Sequence, residues 1–208
     1  MTTESRIGEN RVPAAGVPLA ALPAWLRSAG IVFAGSLFVA ACAHVALPLY
    51  FTPVPLTLQP FAVLLLGLLL SPRLAAATLL VYLGEGAIGL PVFSLGPASA
   101  PGLAHLFGPT GGYLLAYPVA AMIISFLFRF RSRSFTWALA GAAVGNLVIL
   151  ACGSLWLAAL THASLPVVLT QAFLPFLPGD ALKVVAAAAL ATGWQRLRHR
   201  NSPSSPAN

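Results

Sequence analysis

Six apolar blocks, at 30–49, 57–70, 73–88, 110–130, 135–160 and 179–197, alternate along this chain with short connections. A bilayer core of about 30 Å takes about 20 helical residues. On that scale the blocks predict an all-α bundle of six transmembrane helices, the second and third short, the fourth and fifth long enough to tilt. Residues 1–28 mix acids, bases, Gly and Pro and read as a flexible cytoplasmic tail with an interfacial segment around Trp25. A membrane domain at 29–198 follows, and 199–208 read as a disordered cytoplasmic tail.

Composition supports the membrane reading. Of 208 residues 59% are hydrophobic and 7% charged, and the mean hydropathy of +0.90 is far above what a water-soluble domain needs to fill its core. The charge of +7 is compatible with nucleic acid, but the basic residues are scattered between apolar blocks instead of being interleaved with aromatics on one surface, so that reading is set aside. Their placement sets an orientation. Arg27 precedes the first block, Arg73 lies between the second and third, Arg129, Arg131 and Arg133 between the fourth and fifth, and Arg196, Arg198 and Arg200 follow the sixth. The alternate connections at 50–56, 89–109 and 161–178 hold no Arg or Lys. With six spans the arginines share one side, which the positive-inside rule makes cytoplasmic, together with both termini.

The arginine-free connections are rich in Pro and Gly yet apolar: TPVPLTLQP at 52–60, GLPVFSLGPASAPGLAHLFGPTGGY at 89–113 and LPFLPG at 174–179. Irregular backbone at membrane depth is tolerated where it is packed in protein or lines a cavity. The three connections are therefore expected to build one outward-facing pocket; simple turns capping a bundle are the alternative.

Charge then narrows the chemistry. Glu4 and Glu9 belong to the tail, which leaves Glu85, Asp180 and the sole lysine, Lys183, in apolar surroundings. A charge at a span centre costs about 2.5–3.5 kcal/mol on insertion scales, so each is a functional-site hypothesis. Asp180 follows Pro178 and Gly179 and could cap a helix or contact a ligand. Lys183 in a first turn opposes the helix dipole and calls for a negative partner, either Asp180 three residues back or an anionic ligand. Glu85, flanked by Gly84 and Gly86, falls toward the same side and would equally serve a proton-coupled exporter. In GPTGGY, Thr110 can cap a helix and Gly111 expose its backbone amide to ligand oxygens, while Tyr113 and Gln59 add uncharged donors and acceptors.

In the first block Gly30 and Ala34, Ser36 and Ala40, and Cys42 and Ala46 stand four apart, a spacing that permits tight helix contact within the chain or against another membrane subunit. Cys42 and Cys152 read as small packing residues, with no metal or disulfide spacing. No protease or hydrolase motif and no nucleotide-binding Gly-Lys loop is present, so the chain reads as a non-enzyme whose energy source, if ATP, is a separate chain.

Four segments in order, TPVPLTLQPFAVLLLGLLLSPR, YLGEGAIGLPVF, LFGPTGGYLLAYP and PFLPGDALK, resemble the BioY family, the biotin-specific substrate-binding (S) components of energy-coupling-factor transporters. The resemblance implies a six-helix membrane protein of the cell's inner membrane that binds biotin on the outer side and releases it inward, with no cofactor. It implies as partners a transmembrane coupling subunit and cytoplasmic ATPases, with Gly30, Ala34, Ser36 and Ala40 as the docking face. Asp180 and Lys183 match the family's ligand-binding pair; Tyr113 and Gln59 lie in matching segments. The sequence departs from some members where Leu114 stands in place of an arginine and where 94–107 lacks an asparagine. Ser99, His105 and Glu85 are the expected substitutes for carboxylate recognition. An S component for another vitamin and a small proton-coupled transporter using Glu85 are the alternative functions.

Overall fold

A computed structural model describes residues 23–94, 100–130 and 133–200. Helix α1 spans Ala24–His44, so the end of the expected N-terminal tail is helical. The chain then extends into a minimal antiparallel hairpin, β1 (Ala46–Leu47) with β2 (Leu56–Thr57), with Ala46 opposite Thr57. The first apolar block was expected to be helical to residue 49. Apolarity alone cannot distinguish helix from strand, and the approach of Pro48 favours extended backbone.

Helix α2 (Gln59–Leu69) starts with Pro60 in its first turn, where the missing amide costs nothing. Ser71 and Pro72 break the chain into α3 (Pro72–Ala87). Beyond it Gly89 and Gly102 adopt positive φ, and the short α4 (Leu103–Leu106) follows. Helix α5 covers Gly111–Phe130 and α6 covers Phe135–Thr161, the latter stopped by His162 in the left-handed region.

The last helix differs most from expectation. It was expected to begin at Gly179, but helical turns run in from α7 (Leu165–Val168) through a π turn (Leu169–Phe173) and a 3₁₀ turn (Leu174–Phe176) into α8 (Leu177–Arg200). Pro175 and Pro178 cannot donate to an i→i−4 ladder, and their rings crowd the preceding turn; the helix distorts there but continues.

Four described helices, Ala24–His44, Gly111–Phe130, Phe135–Thr161 and the continuous Pro166–Arg198, are long and apolar enough to cross a membrane; α2 and α3 are shorter. Helix α5 is central, packed on α6, α3 and α2, while α8 closes on α2 and α6 and α1 lies on α3. Two buried clusters result. One, at the cavity end, gathers Tyr82, Tyr113, Tyr117 and Phe176; the other joins Leu64, Leu68, Ile124 and Phe128 to the alanines of α8. Large apolar side chains such as Phe33, Leu80, Phe126, Leu155 and Leu190 face outward, as a lipid-facing surface requires.

The expected docking face on α1 is split. At 100° per residue Ser36 and Ala40 fall on a different side from Gly30 and Ala34. Ser36 and Ala40 are buried within the chain, and the other two are exposed. The Ser36–Ala40 spacing therefore serves contact inside the chain, not docking.

Candidate functional site: a polar cavity between α5, α6 and α8

The three Pro- and Gly-rich connections converge on one cavity. Val54, Pro55 and Thr57 from the hairpin, Ser94 and Thr110 from the middle connection and Phe176 from the last one line it, together with helical side chains from α2, α5, α6 and α8. Of the expected site residues, Gln59, Thr110, Tyr113, Asp180 and Lys183 all line this space. Its free volume is about 40 Å³. That is well below the roughly 300 Å³ of a small-molecule pocket, so a ligand must spread the lining. The hairpin in that lining is held by two-residue strands, a pairing that is marginal by itself.

Asp180 and Lys183 form the charged corner. The Lys183 ammonium donates to Asp180 Oδ1 at 2.8 Å, and both residues are buried. The carboxylate's second oxygen accepts from Asn146 Nδ2 at 3.2 Å. Asp180 therefore does not cap a helix: the helical turns before it leave no free N-terminus at Gly179, and both its oxygens are held by side chains. The same continuity removes the first-turn penalty at Lys183. Asp180 uses one of the ammonium's three donors, and the residue borders the cavity with the rest.

Asn146 is a site residue that reading the sequence missed. Its signal was present, an amide within the apolar run of α6, and its Oδ1 is buried with no hydrogen-bond partner among the described residues. Ser154 was also overlooked. Its hydroxyl and that of Tyr113 both donate to the Ala172 carbonyl, at 3.2 Å and 2.7 Å, which the π turn leaves to accept them. Tyr113 lies flat against α6 because Gly153 has no side chain there; a Cβ would fall inside the tyrosine ring. Gln59 accepts from the Thr57 hydroxyl and donates to the Tyr82 hydroxyl, which in turn donates to the Val92 carbonyl at 3.1 Å. This network ties hairpin, α2, α3 and the middle connection together.

Two expected ligand contacts lie elsewhere. Glu85 is not in the cavity lining; its Oε1 accepts from Ser36 Oγ at 2.9 Å across the α1–α3 contact, while Oε2 is buried without a partner among the described residues. Gly111 does not offer a free amide. Its N–H donates to the Gly108 carbonyl at 3.0 Å, and a Cβ at this position would collide with the Leu106 carbonyl and crowd Trp156. Thr110 does not cap α5 with its hydroxyl, which meets His105 Nε2 at 3.2 Å instead. His105 is buried in α4, stacked on Phe93, and its Nδ1 lies 3.2 Å from the Ala100 carbonyl. Desolvation lowers the imidazole's pKa against the opposing pull of that carbonyl, which keeps the ring neutral near pH 7. With both nitrogens engaged, His105 is not a carboxylate ligand; Ser99, the other expected substitute, lies outside the described residues.

A cavity with one buried ion pair, an amide and tyrosine hydroxyls is equipped to bind a ligand having both an anionic group and N–H donors. A model of the BioY family matches residues 13–200. The chain belongs to the BioY family. A probable biotin transporter BioY of Pyrococcus horikoshii is 40% identical over 69% of this chain and 82% of the relative. The biotin transporter BioY of Thermotoga maritima is 36% identical over 74% of this chain and 88% of the relative. Among solved structures, the S-component for biotin from an ECF-type ABC transporter superposes with a TM-score of 0.75 at 25% identity, covering 86% of this BioY-family chain and 95% of the other. The fold is thus that of an S component.

Proposed function

We propose that this BioY-family protein is a biotin-binding membrane subunit for biotin uptake, taking the vitamin on the outer side and releasing it inward. The observation that carries the site assignment is the buried Asp180–Lys183 pair bordering a cavity. Biotin has a ureido ring with two N–H donors and a carbonyl, and a valerate carboxylate. An acceptor and a cation side by side complement both ends of that chemistry.

Six helices, α1, α2, α3, α5, α6 and α8, span the membrane in this reading, with α2 and α3 short, both termini cytoplasmic and the cavity outward. The eight arginines sharing one side support it. The protein is multi-pass in the cell's inner membrane and performs no chemistry on its ligand. Its partners in this reading are a transmembrane coupling subunit and cytoplasmic ATPases; ATP hydrolysis, where it drives uptake, falls to a separate chain because this sequence holds no nucleotide-binding loop.

Calorimetric titration of biotin into detergent-purified protein tests the site. Lys183→Ala is expected to weaken binding by more than about tenfold, the order of one lost charge-assisted hydrogen bond. Unchanged affinity would remove Lys183 from the site.

A further inference from the structure

His105 does not line the cavity but meets Thr110, which does, and a count of the hydrogens between them has a consequence for the ligand. The Ala100 carbonyl near Nδ1 can only accept, so Nδ1 carries the ring hydrogen. A neutral imidazole has one N–H, so Nε2 is an acceptor. The hydrogen in the 3.2 Å contact between Nε2 and Thr110 Oγ1 must then come from the threonine hydroxyl. That is its only one. Thr110 lines the cavity, and what its oxygen has left to offer there is lone pairs.

The ring is held against turning over. It stacks on Phe93 with centroids 4.8 Å apart and 30° between planes, and Phe93 packs edge-on against Tyr82 at 5.5 Å. Turning over would put Cδ2 in place of Nδ1 and Cε1 in place of Nε2, leaving the carbonyl and the hydroxyl facing C–H groups.

We propose that His105 is a positioning residue that fixes Thr110 as an obligate acceptor in the cavity, so that the ligand group meeting Thr110 is an N–H donor and not a carboxylate. Resting on the biotin reading above, this puts a ureido N–H at the start of α5. The valerate carboxylate would meet only repelling lone pairs there and is directed elsewhere. The departure from relatives at Leu114 and in 94–107 thus has no replacement at Thr110: this corner recognises the ring.

The first test needs no ligand. In the full chain with ¹⁵N-labelled histidine, the His105 resonances, assigned by their loss in His105→Gln, are expected to report a protonated Nδ1 and an unprotonated Nε2. The opposite tautomer overturns the proposal whether or not biotin binds. The second test is a binding cycle with biotin. His105→Phe keeps the stacked shape but removes the acceptor, and Thr110→Val removes the hydroxyl; each is expected to weaken binding by about tenfold, and the double variant no further. His105→Gln, whose side-chain carbonyl can take the place of Nε2, is expected to recover binding to within about twofold of wild type. Fully additive losses, or a Gln variant as weak as Phe, would contradict the role. Should His105→Phe not fold, comparison of His105→Gln with Thr110→Val decides: equal losses count against it. Absence of biotin binding in wild type would defeat the biotin reading alone.

Discussion

Two carboxylates in this fold, Asp180 buried and Glu85 half-buried, sit in similarly apolar sequence and have different surroundings. Asp180 is held on both oxygens, by Lys183 and Asn146, at the edge of a cavity. Glu85 is held on one oxygen by Ser36 in a helix–helix contact, away from that cavity. A charge among apolar residues is thus not sufficient to mark a ligand site. What distinguishes Asp180 is a cationic partner of its own and free space beside the pair. Glu85 instead joins α1 to α3, and Ser36, one of the four residues expected to dock a partner, is committed to that joint.

The comparison can be broken most severely at Asp180. Asp180→Ala leaves a buried ammonium and a second amide atom without partners, a change of about 3–5 kcal/mol where buried pairs are broken. Biotin binding is expected to fall by more than about a hundredfold, with a clear loss of thermal stability in detergent. Asn146→Ala should act next most strongly, since it removes one hydrogen bond to the carboxylate while leaving the ion pair; an affinity loss of about tenfold by calorimetry is expected. Gly153→Val tests the support beneath Tyr113. Its new side chain would overlap the ring, and an overpacking cost of about 1–3 kcal/mol should lower the melting temperature by several degrees. Glu85→Gln should matter least. The amide can still accept from Ser36, so biotin affinity is expected to stay within about twofold; a larger loss would place Glu85 in the site after all.

Much of this arrangement was legible in the sequence because membrane helices are set by block length and loops by Pro and Gly. The block expected at 135–160 appears as Phe135–Thr161 and that at 73–88 as Pro72–Ala87. The convergence of the three arginine-free connections, and of Gln59, Thr110, Tyr113, Asp180 and Lys183, was also readable. Backbone detail was not. Apolar character does not separate the β1 strand from the end of α1, and prolines at 175 and 178 read as a helix start when they in fact distort a continuing one. Asn146 escaped notice because an uncharged amide does not stand out where misplaced charges mark the candidates, although burying it without partners is costly. The tautomer logic of His105 depends on which atoms face it, and spacing carries no such information.

The central claim is that the cavity beside Asp180 and Lys183 is a biotin site. A panel of water-soluble vitamins offered to the detergent-purified protein, read by native mass spectrometry, tests it most directly. The account predicts that biotin is retained in preference to every other vitamin in the panel. Retention of another vitamin with no biotin bound would contradict it.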